Sequence, residues 1–250
     1  MRLASFNVQH GRPAVVPGPG LPPGPRDHAL HLARYRDAVA SLGADVVALQ
    51  EIEQGRRRSG RADHLAHAAE AADAVDHRFV ATRRGYGIGI VSRIPVTSWH
   101  ELHLPALRLP RVRRTRRPPF WRVVRDEPRA ALAAVLATDD GPLTVVATHL
   151  SVVRPRTTDQ LHVLRVWAER LPRPLVLLGD LNLRPPVPEQ ITGWRSLAAA
   201  PTYPGHRPRA QIDHVLADGD VRAAGPARAL ATGVGDHRAL VVDVVVGRRG

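Results

Sequence analysis

Leu175-Val176-Leu177-Leu178-Gly179-Asp180-Leu181-Asn182 is the stretch that decides the fold. Four apolar residues read as a buried strand, and polar residues capable of chemistry follow at once. The same arrangement recurs along the chain. Phe6-Asn7-Val8-Gln9 closes a first strand expected within residues 1–9, and Leu49-Gln50-Glu51 closes the run that begins at Asp45. Thr148-His149-Leu150 ends a strand expected over 143–149. Gln211-Ile212-Asp213-His214 and Gly235-Asp236-His237 adjoin strands expected at 211–217 and 239–246. A sheet presents the residues at its strand ends to a shared cleft. Carboxylates, amides and imidazoles gathered there, without cysteine, favour a hard cation over zinc.

Helical spacing appears between these strands. Residues 28–42 carry Leu32, Val39 and Leu42, with Gly43 as the stop. A polar helix is expected over 62–75, and 157–171 places Leu161, Leu164 and Ala168 on one side. Further strands are expected at 78–82, 87–92 and 130–137. Strands interleaved with helices give an α/β class. No linker-like break divides the chain, so one domain over residues 1–250 is expected. Residues 11–25 form a Gly/Pro-rich loop. Residues 105–128 form an Arg/Pro-rich insert in which no period survives, so an irregular exposed loop is expected. It holds eight arginines from Arg108 to Arg125 and four prolines over 105–119.

Composition narrows the function classes. The chain has no cysteine, which excludes disulfides, thiol catalysis and thiolate metal sites. No apolar run is long enough to span a membrane. The first residues carry no apolar stretch of signal-peptide length, so a cytoplasmic location is expected. The net charge is +13, and all 36 basic residues are arginine. That charge has two readings: attraction to a polyanion such as nucleic acid or an anionic membrane, or codon bias and a solvated surface.

The order FN, LQE, THL, GDLN, IDHV, GDH resembles the endonuclease/exonuclease/phosphatase superfamily, over residues 2 to about 245. The resemblance implies a four-layer α/β/β/α sandwich, with two packed mixed sheets flanked by helices and a site at one edge. It implies that Glu51 holds Mg²⁺ or Mn²⁺ directly, with Asn7 assisting through its amide oxygen and Asp236 as a further carboxylate at the metal. His237 acts on the attacking water or stabilises charge on the phosphate, and Asp213 fixes its tautomer. Asp180 orients the water, and Asn182 donates to a phosphate oxygen from the same side of an extended chain. His149 contacts the scissile phosphate, and Arg129 lies near it. Taken singly, each of these residues suits a structural role as well: Glu51 as a strand cap, Asn7 in an Asx turn, Arg129 at a strand start.

Two positions depart from relatives in the superfamily. Ile88 stands where phosphatase and sphingomyelinase members often carry asparagine, and Gln9 where apurinic endonucleases carry aspartate. His149 also leans away from the apurinic branch. The expected function is metal-dependent hydrolysis of a phosphodiester by in-line water attack, with DNA or RNA as the leading substrate. Phe120 and Trp121 of the arginine-rich insert would stack on bases. The alternatives are a phospholipid or inositol-phosphate phosphoesterase, with peripheral contact to an anionic membrane, and a non-catalytic nucleic-acid-binding protein.

Overall fold

The computed structural model describes residues 1–14, 25–106, 111–114, 121–124 and 126–247. The chain begins β1 (Arg2–Asn7), α1 (Pro25–Ser41), β2 (Val46–Glu53), α2 (His64–Ala71), β3 (Asp76–Arg83), β4 (Tyr86–Ser92) and β5 (Val96–Leu104). It continues through β6 (Arg111–Arg114), β7 (Trp121–Val124), β8 (Arg129–Thr138), β9 (Gly141–His149), α3 (Arg156–Ala168) and β10 (Leu175–Asp180). It ends with α4 (Val187–Thr192), β11 (Arg195–Ser196), β12 (Asp213–Asp218), β13 (Val221–Ala223), β14 (Arg228–Leu230) and β15 (Ala239–Val246). No helix among the described residues is long and apolar enough to cross a membrane.

One sheet runs β13-β15-β1-β2-β4-β3, with β14 also on β15, and the other runs β11-β12-β10-β9-β8-β5. Each contains one parallel pair, β1 with β2 and β9 with β10. Parallel neighbours need a long crossover, and α1 and α3 supply the two. The other pairings in these sheets are antiparallel, so both sheets are mixed.

The sheets pack face to face. Successive strand residues point to opposite faces, so each strand feeds two cores. Leu3, Val46, Ala48, Leu132, Val145, Val176, Val215 and Leu240 meet in the seam between the sheets. Ala4, Phe6, Val47, Leu49 and Val241 pack beneath Tyr35, Val39 and Leu42 of α1 and Leu65 and Ala68 of α2. On the other side, Ala131, Val146, Leu177 and Leu216 pack against Leu161, Leu164 and Ala168 of α3. Burying one Leu or Val side chain stabilises by about 1.5–3 kcal/mol, so three such layers offset much of the ordering cost. The chain thus adopts the expected four-layer α/β/β/α sandwich.

The sequence reading needs two corrections. It has no strand over Val96–Leu104, where β5 forms the edge of its sheet against β8. Much of β5 stays exposed, so it carries His, Glu and Ser and shows no apolar run. Residues 105–128 are not irregular throughout: β6 and β7 pair as a hairpin, with Val112 opposite Val123 and Arg113 opposite Arg122. The valines favour strand, but the arginines hide their period. Residues 107–110, 115–120 and 125 lie outside the described residues, as do 15–24 of the Gly/Pro-rich loop. The stacking expected of Phe120 and Trp121 therefore falls outside the described side chains.

Gly179 shows how closely β10 meets β9. A Cβ built there would stand 2.1 Å from the Thr148 carbonyl oxygen, and no flexible side chain could yield. Gly179→Ala is therefore expected to force the central parallel pair apart. It should lower stability by about 1–3 kcal/mol or more, read as a drop in Tm and in urea midpoint.

Candidate active site

The seam is apolar along most of its length and polar at one edge. The row Leu3, Ser5, Asn7 ends in an amide, and Val46, Ala48, Gln50 does the same. Leu143, Val145, Ala147 leads to His149, and Val176, Leu178 leads to Asp180. From β12, which runs the opposite way, Val215 and Ala217 share their face with Asp213. Strand periodicity thus delivers Asn7, His149, Asp180 and Asp213 to the same rim of the seam. All four are buried.

Glu51 reaches the rim by another route. Val47 and Leu49 face the helices, and simple alternation would send Glu51 there too. The register of β2 against β4 shifts between Gln50 and Ile52, and Glu51 has φ 58°. Glu51 is the extra residue of a bulge, which restores the helix-side face to Ile52 and re-aims the carboxylate. The expectation that Glu51 follows the end of a strand is corrected accordingly, since β2 continues to Glu53. A left-handed backbone at a non-glycine residue costs about 1–3 kcal/mol.

Asn7 joins the two sheets. Its Nδ2 donates to Glu51 Oε1 at 3.3 Å and to Asp180 Oδ2 at 3.2 Å, while Gln9 N donates to its Oδ1 at 3.2 Å. The amide oxygen expected at a metal therefore closes an Asx turn, and the nitrogen bridges two carboxylates. His237 Nδ1 and Asp213 Oδ2 are 2.8 Å apart, and Thr202 Oγ1 donates to the same oxygen at 2.5 Å. His237 Nε2 lies 3.7 Å and His149 Nε2 3.5 Å from Asp180 Oδ2.

Burial and neighbouring charge set the protonation states. Burial opposes the charged form of His237, but the charge and hydrogen bond of Asp213, with Asp180 and Asp236 behind them, outweigh it and raise its pKa to about 10. Burial and then Asp213 raise Asp180 to about 7. His149 is held well below the usual imidazole range, by burial and then by Arg129 and His237. Burial raises Glu51, and Asp236 adds to that rise while Asn7 and Arg129 oppose it.

The expected residues therefore gather, with two exceptions in detail, the Asn7 oxygen and Asn182. Asp236 and Arg129 are close enough to act on Glu51 electrostatically. Asn182 is not on an extended chain. Its φ is 51°, its N–H donates to Asp180 Oδ1 at 3.0 Å, and its Nδ2 donates to the Leu150 carbonyl at 3.0 Å. It thus orients Asp180 and ties two loops, and the donation expected toward a phosphate is directed at the backbone instead.

Three neighbours escaped the sequence reading. Thr202 braces Asp213, Tyr203 lies with its ring centroid 5.0 Å from that of His237, and His10 Nε2 is 3.7 Å from Glu51 Oε2. Thr202 and Tyr203 lie in a loop and His10 in a short 3-10 turn over Gln9–Gly11, where no strand ending marks them.

Oxygen and nitrogen donors without sulfur suit Mg²⁺ or Mn²⁺. Asp180, Asp213 and His237 offer ligand atoms within 4.8 Å of one another. Glu51 and Asp236 are further carboxylates at this rim that could hold such an ion.

The sequence of residues 4–237 matches the model of the endonuclease/exonuclease/phosphatase family, and the chain belongs to that family. Solved structures share its fold. An endonuclease/exonuclease/phosphatase from Beutenbergia cavernae aligns with TM-score 0.70 at 20% identity, over 98% of this chain and 71% of that one. A mannosyl-6-phosphatase from Bacteroides thetaiotaomicron gives 0.66 at 14% identity, over 98% and 99%. TDP2 from D. rerio, complexed with a single-strand DNA product, gives 0.64 at 16%, over 98% and 99%. No curated protein matches the sequence. Members of the family are hydrolases that act on phosphoesters.

The pKa shifts fix the sign of a stability profile. His237, raised to about 10, contributes stability that is complete below its ordinary value near 6.5 and is lost as pH rises toward 10. His10 and His64, both lowered to about 4 chiefly by burial, contribute stability that is complete above 6.5 and is lost as pH falls toward 4. The Tm of metal-free protein should peak near pH 6.5, and Asp213→Asn should flatten the alkaline side. A profile unchanged by that substitution would remove the assigned pairing. Glu51→Gly should raise metal-free Tm, because it relieves both the strained φ and a half-buried carboxylate. A lower Tm would show that the bulge is not strained.

Proposed function

We propose that the chain hydrolyses a phosphodiester by in-line attack of water, with a divalent cation, Mg²⁺ or Mn²⁺, and that a nucleic-acid strand is the substrate. The observation that carries the reading is the meeting of Glu51, Asp180 and the Asp213–His237 pair at one rim of the seam, through Asn7. Glu51 and Asp236 would hold the cation, with Asn7 fixing Glu51. The bound cation would supply charge neutralisation on a non-bridging phosphate oxygen and on the leaving oxygen.

The other roles follow from protonation. Asp180, with a pKa near 7, is poised to take a proton from the attacking water. Its Oδ1 is held by Asn182 N, which fixes the other oxygen toward His149 and His237. His237, kept charged by Asp213, donates from Nε2 to the phosphate and stabilises the charge that grows there. His149, kept neutral beside the same Asp180 oxygen, would donate one hydrogen bond to the phosphate. Arg129 adds positive charge beside Glu51 and His149.

Nucleic acid is favoured by the net charge of +13 and by the β6–β7 hairpin, whose strands carry four arginines. The fold shared with a protein holding a DNA product agrees with this. A phosphomonoester substrate is the second reading, because the same fold serves a mannosyl-6-phosphatase. Expression in the cytoplasm fits either.

Purified protein with Mn²⁺ should be offered plasmid DNA, RNA, sphingomyelin, inositol phosphates and sugar phosphates side by side. Turnover of a nucleic acid is expected, abolished by EDTA and restored by Mg²⁺ or Mn²⁺. His237→Ala and Asp180→Asn should each lower kcat by about 10²–10³ or more while the circular dichroism of the folded protein is retained. Wild-type rates in both variants would dismiss the site. Release of inorganic phosphate from a monoester, with no strand cleavage, would replace the nuclease reading with the second one.

A further inference from the structure

A cavity of about 210 Å³ opens beside Glu51, between His10 and Tyr86 and the guanidinium side chains of Arg56, Arg58 and Arg83. Glu127 lines it as well, and behind Arg56 and Arg58 lies Glu53, the residue that β2 reaches by continuing past the bulge. The Glu53 side chain is fully buried, and its Oε1 accepts from Arg58 Nε at 2.5 Å and lies 3.3 Å from Arg56 Nε. Two guanidiniums thus share one carboxylate. Arg83 and the buried Arg129 share Glu127 in the same way, at 3.2 and 3.9 Å. The cluster carries more positive than negative charge before Glu51 and its cation are counted.

The cavity is also shaped with some strain. Gln9 and His10 both adopt left-handed backbone, with φ 43° and 63°. This turn brings the His10 ring within 5.5 Å of the Tyr86 ring and its Nδ1 within 3.3 Å of Arg58. Arg58 lies over the Tyr86 face, 5.8 Å from its centroid. Arg58 spends its fork on Glu53 and His10 and braces the wall, so Arg56 and Arg83 are the guanidiniums that would meet an oxyanion in the cavity. Strain of this kind persists at functional sites.

We propose that this cavity binds a second phosphate of the substrate, next to the scissile one, so that the enzyme selects phosphodiesters flanked by another phosphate. The proposal rests on the reading of Glu51 and Asp180 as the reaction centre. The volume is below the roughly 300–1,000 Å³ of pockets for drug-sized ligands, so it suits a tetrahedral anion and a few attached atoms. The cationic wall disfavours a choline-type head group. A neighbouring phosphate of a polynucleotide and a second phosphate on a small polyol share this chemistry, and the polynucleotide agrees with the charge of the whole chain.

The test uses the Arg56→Gln/Arg83→Gln variant, which leaves Arg58 to hold Glu53 and His10. With Mn²⁺, kcat/KM is measured on a nucleoside nitrophenyl phosphodiester and on the same compound with an added terminal phosphate. The wild type should prefer the second by about tenfold or more, and the variant should lose that preference. No preference in the wild type, or an equal loss on both compounds, would overturn the proposal. A parallel comparison of glycerophosphoinositol with glycerophosphoinositol phosphate, both diesters, separates the two sources of the second phosphate.

If neither diester is turned over, the reaction centre has been misread. The cavity is then judged by titrating metal-free protein with pyrophosphate, where the variant should bind at least about tenfold more weakly. Equal binding by wild type and variant would reject it.

Discussion

The carboxamide of Asn7 joins one sheet to the other at the rim of the seam, and the arrangement of the site depends on that join. One donor nitrogen serves Glu51 from its own sheet and Asp180 from the facing sheet. The bond is possible because strand alternation puts Leu3, Ser5 and Asn7 on a single face, opposite the face that carries Val176, Leu178 and Asp180. The apolar members of each row bring the sheets together, and the polar members at the end inherit that closeness. Two carboxylates so near each other would repel. The shared donor, the charged His237 and the backbone N–H of Asn182 offset that repulsion, while burial and the facing Asp213 hold the pKa of Asp180 up at about 7.

Glu51 is the point where regular structure yields to chemistry. An unbroken β2 would bury the carboxylate under α1 and α2, where an unpaired charge costs several kcal/mol. The bulge turns it to the rim at the cost of a left-handed φ, and it also returns Ile52 to the helix-side core. Two oriented elements thus flank one strained residue: the pair of sheets, and the loop that carries His10 and Gly11. In Gly11 a Cβ would sit 3.3 Å from His64 Nε2, so the loop lies close on the helix α2.

Much of this could be read from the chain itself. LVLLGD, DVVALQE and ATHL announce buried strands that end in polar residues, and their order fixed the family and the four layers. Gly179 was legible too, although as part of a pattern; the closeness to Thr148 that demands it is visible in space alone. The misreadings have physical causes. β5 lies at a sheet edge and needs no apolar run, and the β6–β7 pair is written in arginine. The inward turn of Asn182 and the bulge at Glu51 are departures from a regular period, which a period cannot announce. His10, Thr202 and Tyr203 belong to a short turn and a loop, where proximity arises from the fold and leaves no local trace in sequence.

The seam between the sheets is lined in good part by alanine: Ala48, Ala130, Ala134 and Ala147 stand among its larger aliphatics. Small side chains set how near two layers can approach, and here they act as spacers of fixed thickness. The reach of Asn7 across the rim is therefore calibrated by residues that touch no reactant. Drift in those alanines during evolution would alter the chemistry from within the molecule's interior, so selection on turnover extends to a hidden plane that a survey of contacts at the rim would never include.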